Sequence, residues 1–340
     1  MKILMIGGTG TISSAITRQL SAEGHDLWLL NRGNRKNEVP TSVRQVIVDI
    51  DNTEEVLRQI DGELFDAVCE FIGFLPSQVE RDIHLFKGRT RQYVYISSAS
   101  AYNKPAASHV IVEGTALANP YWEYSRNKIA CEDLLMKAYR EEGFPVTIVR
   151  PSHTYCERAV PVSVHGPKGS WPVLKRMIDG KPVIVHGDGS SLWTLTWNED
   201  FARGFIGLLG NPKAIGEPFQ IMSDESLTWN QIYQCVANAL GVDFKPYHVA
   251  SDFLSAVAPE PYDFTGNLLG DKAVTVVFDC AKLKRAVPGF QATVRFDEGV
   301  RRCVAYLKAH PELQVEDPEF DRWCDCVIEA QETAKKYPIG

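Results

Sequence analysis

A glycine-rich turn stands six residues into the chain and limits what can follow it. Ile3-Leu4-Met5-Ile6 is an apolar run of strand length, and Gly7-Gly8-Thr9-Gly10-Thr11-Ile12-Ser13 comes directly after. Helical spacing then runs from Ser13 to Ala22, with Ile16 and Leu20 four apart on one face. Glycines let a backbone turn tightly and approach a bound group closely. The helix N-terminus beyond offers N–H groups and a partial positive charge, which suits a pyrophosphate. The spacing is Gly-x-x-Gly-x-x-Ser, so the last position departs from glycine, although Ser13 is small enough to keep the helix near the strand. Taken alone, the turn also fits a strand-to-helix connection that binds nothing.

The rhythm of the first half decides the fold class. Short apolar runs at Leu27–Leu30, Gln45–Val48, Ala67–Ile72, Tyr93–Ile96 and Val146–Val149 read as strands. Between them, Val56 and Ile60 share a helix face, Val79–Phe86 reads as a helix, and Trp122–Tyr139 fits a long one. Apolar strands alternating with helices predict an α/β fold, a doubly wound parallel sheet covered on both faces. After Arg150-Pro151 the alternation weakens, and Pro, Gly and Trp become frequent between Pro161 and Trp193. We expect a dinucleotide-binding (Rossmann) domain over 1–155, with a return segment at about 195–222. A smaller C-terminal substrate domain is expected over 156–194 and 223–315, followed by a helical extension at 316–340.

Composition narrows the class of partner. At 44% hydrophobic and 23% charged over 340 residues, the chain supports a full core without a disulfide framework. The net charge of −7 offers no footprint for nucleic acid or an anionic membrane. No apolar run reaches the ~18 residues of a membrane span. No targeting segment is evident, so a cytoplasmic location is expected. The eight cysteines are scattered; only Cys324 and Cys326 are close, and free thiols on a helix explain them better than a metal site, so no metal is expected.

The second strand ends at Asn31-Arg32-Gly33-Asn34-Arg35-Lys36. A carboxylate there would hold a ribose 2′-hydroxyl and repel a 2′-phosphate. Asn31 followed by cations favours NADP over NAD, with Arg32 and Arg35 as phosphate partners. A solvated basic loop is the plainer reading of the same residues. Asp49, after the third strand, suits the adenine edge or, equally, a helix N-cap.

Tyr124-Ser125-Arg126-Asn127-Lys128 carries the chemistry. Tyr124 and Lys128 are four apart on one helix face. A tyrosine titrates near ~10, and a nearby ammonium favours its phenolate. Such a tyrosine can take a proton from a carbinol while hydride leaves for a nicotinamide. Ser98 ends the strand Tyr93–Ile96 at the crevice side of the sheet and can orient the substrate oxygen. Ser98, Tyr124 and Lys128 are therefore the expected catalytic residues.

In this order the motifs resemble the extended short-chain dehydrogenase/reductase family, the NAD(P)-dependent sugar epimerases and dehydratases, over roughly residues 1–310. Val68–Gly73, Tyr95–Tyr102, Val185–Ser190 and Phe278–Leu283 are similar to further segments of that family. Cofactor contacts are expected at Gly7, Gly10, Thr11, Ile12, Asn31, Arg32, Arg35, Asp49, Ile50 and Phe71, and at Tyr124, Lys128, Pro151 and His153. Substrate contacts are expected at Ser98, Ser100, His153 and Trp193, and the resemblance implies a homodimer. Family 4,6-dehydratases carry Asp-Glu after the catalytic hydroxyl, whereas Ala99 and Ser100 stand here, so that activity is disfavoured. Trp193 replaces an arginine that commonly holds a nucleotide-sugar diphosphate, and a tryptophan can stack on a sugar face.

The function expected is therefore NAD(P)-dependent redox chemistry at a secondary alcohol or ketone of a sugar, of epimerase type. An NADP-dependent sugar or ketone reductase is the alternative. A non-catalytic dinucleotide sensor or RNA-binding protein on the same fold is a third reading, which needs no complete Ser-Tyr-Lys set.

Overall fold

The computed structural model describes residues 1–34 and 39–337. Arg35, one of the expected phosphate partners, lies outside the described residues. The chain divides into two compact units. One comprises Met1–Thr154, Thr196–Asp224 and Phe278–Thr293, and the other Tyr155–Leu195, Glu225–Val277 and Val294–Gly340.

The first unit is a doubly wound α/β sheet. Strands β1 (Lys2–Ile6), β2 (Asp26–Asn31), β3 (Arg44–Ile47), β4 (Ala67–Glu70), β5 (Tyr93–Ile96), β6 (Val146–Arg150) and β7 (Pro218–Gln220) lie in the order β7-β6-β5-β4-β1-β2-β3. Every pairing between neighbours is parallel, with Leu4 opposite Trp28 and Val68, for example. Helices α1 (Ser13–Ala22), α2 (Thr53–Gln59), α3 (Pro76–Phe86) and α4 (Glu123–Glu142) make the crossovers, and α5 (Asn198–Ile206) returns to this unit. Strands β1, β4, β5 and β6 are buried almost throughout because helices cover both faces of the sheet. One core cluster joins Leu4, Trp28, Val68, Tyr95, Leu135 and Ile148 across the strands and α4.

The strand order reverses beside β1, and the crevice at such a point opens over the carboxyl ends of the strands. Arg150, at the end of β6, anchors α4 there. Its guanidinium donates to both carboxylate oxygens of buried Glu132, Nε to Oε1 at 2.9 Å and one terminal nitrogen to Oε2 at 2.6 Å. α4 ends at Gly143, whose φ of 69° closes the helix in the left-handed region.

Two expectations change here. Phe278–Thr293, expected in the substrate domain, belongs to the first unit: Gln220 Nε2 donates to Asp279 O at 3.0 Å, and Asp279 N–H donates to Ile111 O at 2.9 Å. Asp49 does not cap α2. Asn52 does, its Oδ1 accepting from Glu55 N–H at 3.3 Å, while Asp49 Oδ1 accepts from Asp51 N–H at 3.1 Å.

In the second unit, Val183–His186 pairs in parallel with Pro246–Val249, and Leu192–Trp193 pairs antiparallel with Leu227–Thr228. Helices Trp229–Leu240 and Phe296–Ala309 pack together. Of the helical extension expected at 316–340, the helix Pro318–Lys335 is built into this unit. Arg176, buried on the helix Trp171–Ile178, pairs with Asp321 at 2.6 Å and Asp325 at 2.7 Å on the last helix, Pro318–Lys335. Cys324 is buried and Cys326 exposed on that helix, and neither is in a disulfide. No helix among the described residues is long and apolar enough to cross a membrane.

Candidate active site

The glycine turn forms one wall of a cleft of about 860 Å³ in the first unit. Gly7 and Gly8 have φ of 105° and 97°, a region that side chains rarely adopt. A Cβ on Gly8 would also overlap the Leu29 side chain. Gly10 differs, since a Cβ there would meet only Ser13 Oγ, at an ordinary 3.5 Å. The fold itself therefore does not require a glycine at position 10. Ser13, the departure from the glycine pattern, is buried, and its Oγ accepts from Gly10 N–H at 3.0 Å. Asn198, at the start of α5, donates from Nδ2 to Thr11 O at 3.1 Å and braces the turn from outside.

Gly7, Gly10, Thr11, Ile12, Asn31, Arg32, Asp49, Ile50, Phe71, Ser98, Tyr124, Lys128 and Pro151 all line this one cleft. At one end, Asn31 Oδ1 accepts from Gly33 N–H at 2.7 Å and shapes the turn that presents Arg32, which is exposed. Arg32 has no ion-pair partner among the described residues.

At the other end, Lys128 is 1% exposed. Its Nζ donates to the carbonyls of Gly73 and Ile96, each at 2.7 Å, and lies 4.7 Å from the ring centres of Phe74 and Tyr95. Burial pushes this lysine down to about 8. Tyr124, one turn earlier on α4, has its ring 5.0 Å from Trp122 and 6.3 Å from Phe74, and Lys128 Nζ is 5.9 Å from its ring centre.

Beneath the cleft lies a buried acid pair on β4 and α3. Glu70 is raised well above the carboxylate range by burial and by the neighbouring Asp82. Asp82 accepts from Tyr93 Oη at 2.7 Å and from Arg81 Nε at 2.9 Å, so it is the member suited to carry the charge. Arg81 reaches past it to Asp51 at 2.5 Å, and both line the cleft.

Three residues expected at the site are not among those that line this cleft. Ser100, expected at the substrate, is 3% exposed and bonds Ser98 from behind, because the short 3₁₀ turn Ala99–Ala101 rolls it inward. Trp193, expected to offer an open face, is 2% exposed in the second unit, its ring stacked on Trp229 at 6.1 Å. His153 opens the strand His153–Tyr155 and is half-buried, whereas its neighbours Pro151 and Ser152 line the cleft. Sequence reasoning also missed Phe74, Gln78 and Arg81. Gln78 and Arg81 lie on the polar start of α3, which reads as a solvated helix face, and Phe74 lies in the loop before it. Gln78 Oε1 accepts from the N–H groups of Phe74 and Leu75 at 2.7 and 2.9 Å, which fixes the loop carrying Phe74.

The family profile described as "NAD dependent epimerase/dehydratase family" matches residues 3–221. The chain belongs to this family. It is thereby an NAD(P)-dependent enzyme of the extended short-chain dehydrogenase/reductase type. Among curated relatives, it is 27% identical to 2'-dehydrokanamycin reductase of Streptomyces kanamyceticus, over 86% of this chain and 80% of that one. It is also 27% identical to the chloroplast stem-loop binding protein of 41 kDa b of Arabidopsis thaliana, over 71% of this chain and 63% of that one. Among solved structures, the epimerase Mth375 from Methanothermobacter thermautotrophicus superposes with a TM-score of 0.73 at 17% identity, covering 92% of this chain and 93% of that one. That likeness is one of fold.

Proposed function

We propose that the chain transfers hydride at a secondary alcohol or ketone of a sugar, by epimerase-type chemistry. Ser98, Tyr124 and Lys128 are its working residues. The reading rests on one observation: the glycine turn, Ser98, Tyr124 and Lys128 line a single cleft. The residues at Gly7–Ile12, Asn31–Arg32 and Lys128 would hold a nicotinamide dinucleotide, and the space left at Gly10 suits its pyrophosphate. When bound, that group takes up or returns the hydride. Tyr124 takes the proton from the carbinol oxygen and later returns it. Lys128, charged, favours the phenolate form of Tyr124. Ser98 orients the substrate oxygen. Ala99 and Ser100 offer no carboxyl group to protonate a leaving hydroxyl, which speaks against 4,6-dehydration.

The second reading is an NADP-dependent reductase of a sugar ketone. Arg32 supports it, since a guanidinium at this end of the cleft suits a 2′-phosphate. The similarity to the relative named 2'-dehydrokanamycin reductase supports it too. The acidic net charge of −7 favours a small-molecule substrate over nucleic acid, and the family resemblance favours a homodimer.

The experiment that tests the reading is a screen of free and nucleotide-linked sugars and their keto forms. NMR follows isomerisation and nicotinamide absorbance follows net redox change. A sugar isomerised without net cofactor change supports the epimerase. Stoichiometric NADPH consumption with a keto sugar supports the reductase. Turnover of neither kind by a nucleotide-loaded protein contradicts both.

A further inference from the structure

Ser98 heads a chain of hydroxyls. Its Oγ lies 2.8 Å from Ser100 Oγ and accepts from Ser100 N–H at 3.2 Å. Ser125 Oγ, on α4 next to Tyr124, donates to Ser100 Oγ at 2.7 Å. Ser100 and Ser125 are 3% and 0% exposed, so bulk water is not their partner. A clasp fixes the arrangement. Asn119 Nδ2 donates to Ser100 O at 2.8 Å, and Asn119 Oδ1 accepts from Tyr121 and Trp122 N–H at 3.1 and 3.2 Å. The turn bearing Ser98 is thereby held to the start of the helix bearing Tyr124.

Counting protons gives the chain a direction. Each serine hydroxyl has one proton and two lone pairs. The Ser125 proton goes to Ser100. The Ser100 proton then has Ser98 Oγ as its acceptor, and pointing it elsewhere would leave a buried donor unmade. Ser98 Oγ accepts from both the N–H and the O–H of Ser100, so its lone pairs are filled. Only its own proton remains to face the cleft.

We propose that Ser100 and Ser125 are positioning residues that fix Ser98 as a hydrogen-bond donor to the substrate oxygen, leaving proton exchange to Tyr124. The proposal rests on the sugar-oxidoreductase reading above. In both reaction directions Ser98 keeps its proton and steadies a carbonyl or a forming alkoxide. The proton that moves travels between Tyr124 Oη and the carbinol oxygen. Ser100 stands where family dehydratases carry an acid, and here that position turns away from the substrate to polarise Ser98.

Neutron diffraction from crystals of the perdeuterated protein locates the three deuterons directly. The expected order is Ser125 toward Ser100, Ser100 toward Ser98, and Ser98 into the cleft. A Ser98 deuteron lying on Ser100 Oγ overturns the proposal, whatever the substrate. Kinetics with the sugar that turns over provide a second test. Ser100→Ala and Ser125→Ala each lower kcat about tenfold, with KM and the nucleotide Kd unchanged. Because Ser125 acts through Ser100, the double variant is no slower than Ser100→Ala alone. Losses that multiply, or that fall on KM instead, contradict the proposal. A protein that moves hydride on no sugar sinks the functional reading, and the neutron map still decides the hydroxyl order.

Discussion

Lys128 Nζ donates to the Gly73 carbonyl at 2.7 Å and so ties α4 to the loop that follows β4. Tyr95 Oη donates to the same carbonyl at 3.0 Å. An ammonium buried on two backbone carbonyls and two ring faces is well placed to influence its helix neighbour, Tyr124. Burial also makes its charge costly.

That cost gives a pH signature. In the folded protein Lys128 is pushed down to about 8, whereas a free lysine titrates near ~10.4. Between those values the unfolded chain binds more protons, so folding stability rises with pH across the window. Lys128→Met abolishes this contribution. Urea melts should show the unfolding free energy of the parent protein, minus that of Lys128→Met, increasing from about pH 8 toward ~10. A flat or falling difference would mean that Lys128 is not a desolvated ammonium.

Tyr124→Phe keeps the ring, which packs near Phe74 and Trp122, and removes the proposed proton-transfer group. Turnover should fall by about 10² or more while the nucleotide Kd stays within about twofold. Steady-state kinetics and fluorescence titration check this. Normal turnover by the Phe variant would remove the proposed base.

Arg32→Ala should raise the Kd for NADP by about 10-fold or more, as expected for losing a charge-assisted bond to phosphate, and leave NAD nearly unchanged. Isothermal titration with both nucleotides decides it. Equal effects on the two would separate Arg32 from the 2′-phosphate.

Glu132 and Arg150 are both almost fully buried and bonded in a fork. Glu132→Ala strands the guanidinium and should cost about 3–5 kcal/mol of stability by chemical denaturation. Replacing both, by Glu132→Leu with Arg150→Met, should recover much of that loss. A double variant as unstable as the single one would show that the pair does more than compensate its own charges.

Much of the first unit is legible in the sequence because its signals are local. The glycine turn announces β1 and α1, and the helix runs over Ser13–Ala22 as its spacing indicates. Tyr93–Ile96 is the strand that its four apolar residues suggest. Other features depend on partners far along the chain. Strand β7 has three residues, Pro-Phe-Gln, too few to show a period, and it exists because β6 offers a free edge. β4 stops at Glu70, short of the expected Ile72, because that residue's N–H turns to the Glu70 carboxyl instead of continuing the ladder. Trp193 looks like an open ring in sequence, and only Trp229, far along the chain, shows it to be packed. Ser98, Tyr124 and Lys128 can be picked out by type and spacing. The hydrogen bonds that orient them, from Ser100 and to Gly73 and Ile96, cannot.

The most direct test of the account is the nucleotide itself. Freshly purified protein is heat-denatured, the supernatant is analysed by mass spectrometry, and any empty protein is titrated with NAD(H) and NADP(H). The account predicts one nicotinamide dinucleotide per chain, either co-purified or bound on titration, and lost from a Gly10→Trp variant that fills the space beside the turn. A folded protein that carries neither nucleotide and binds neither would contradict it.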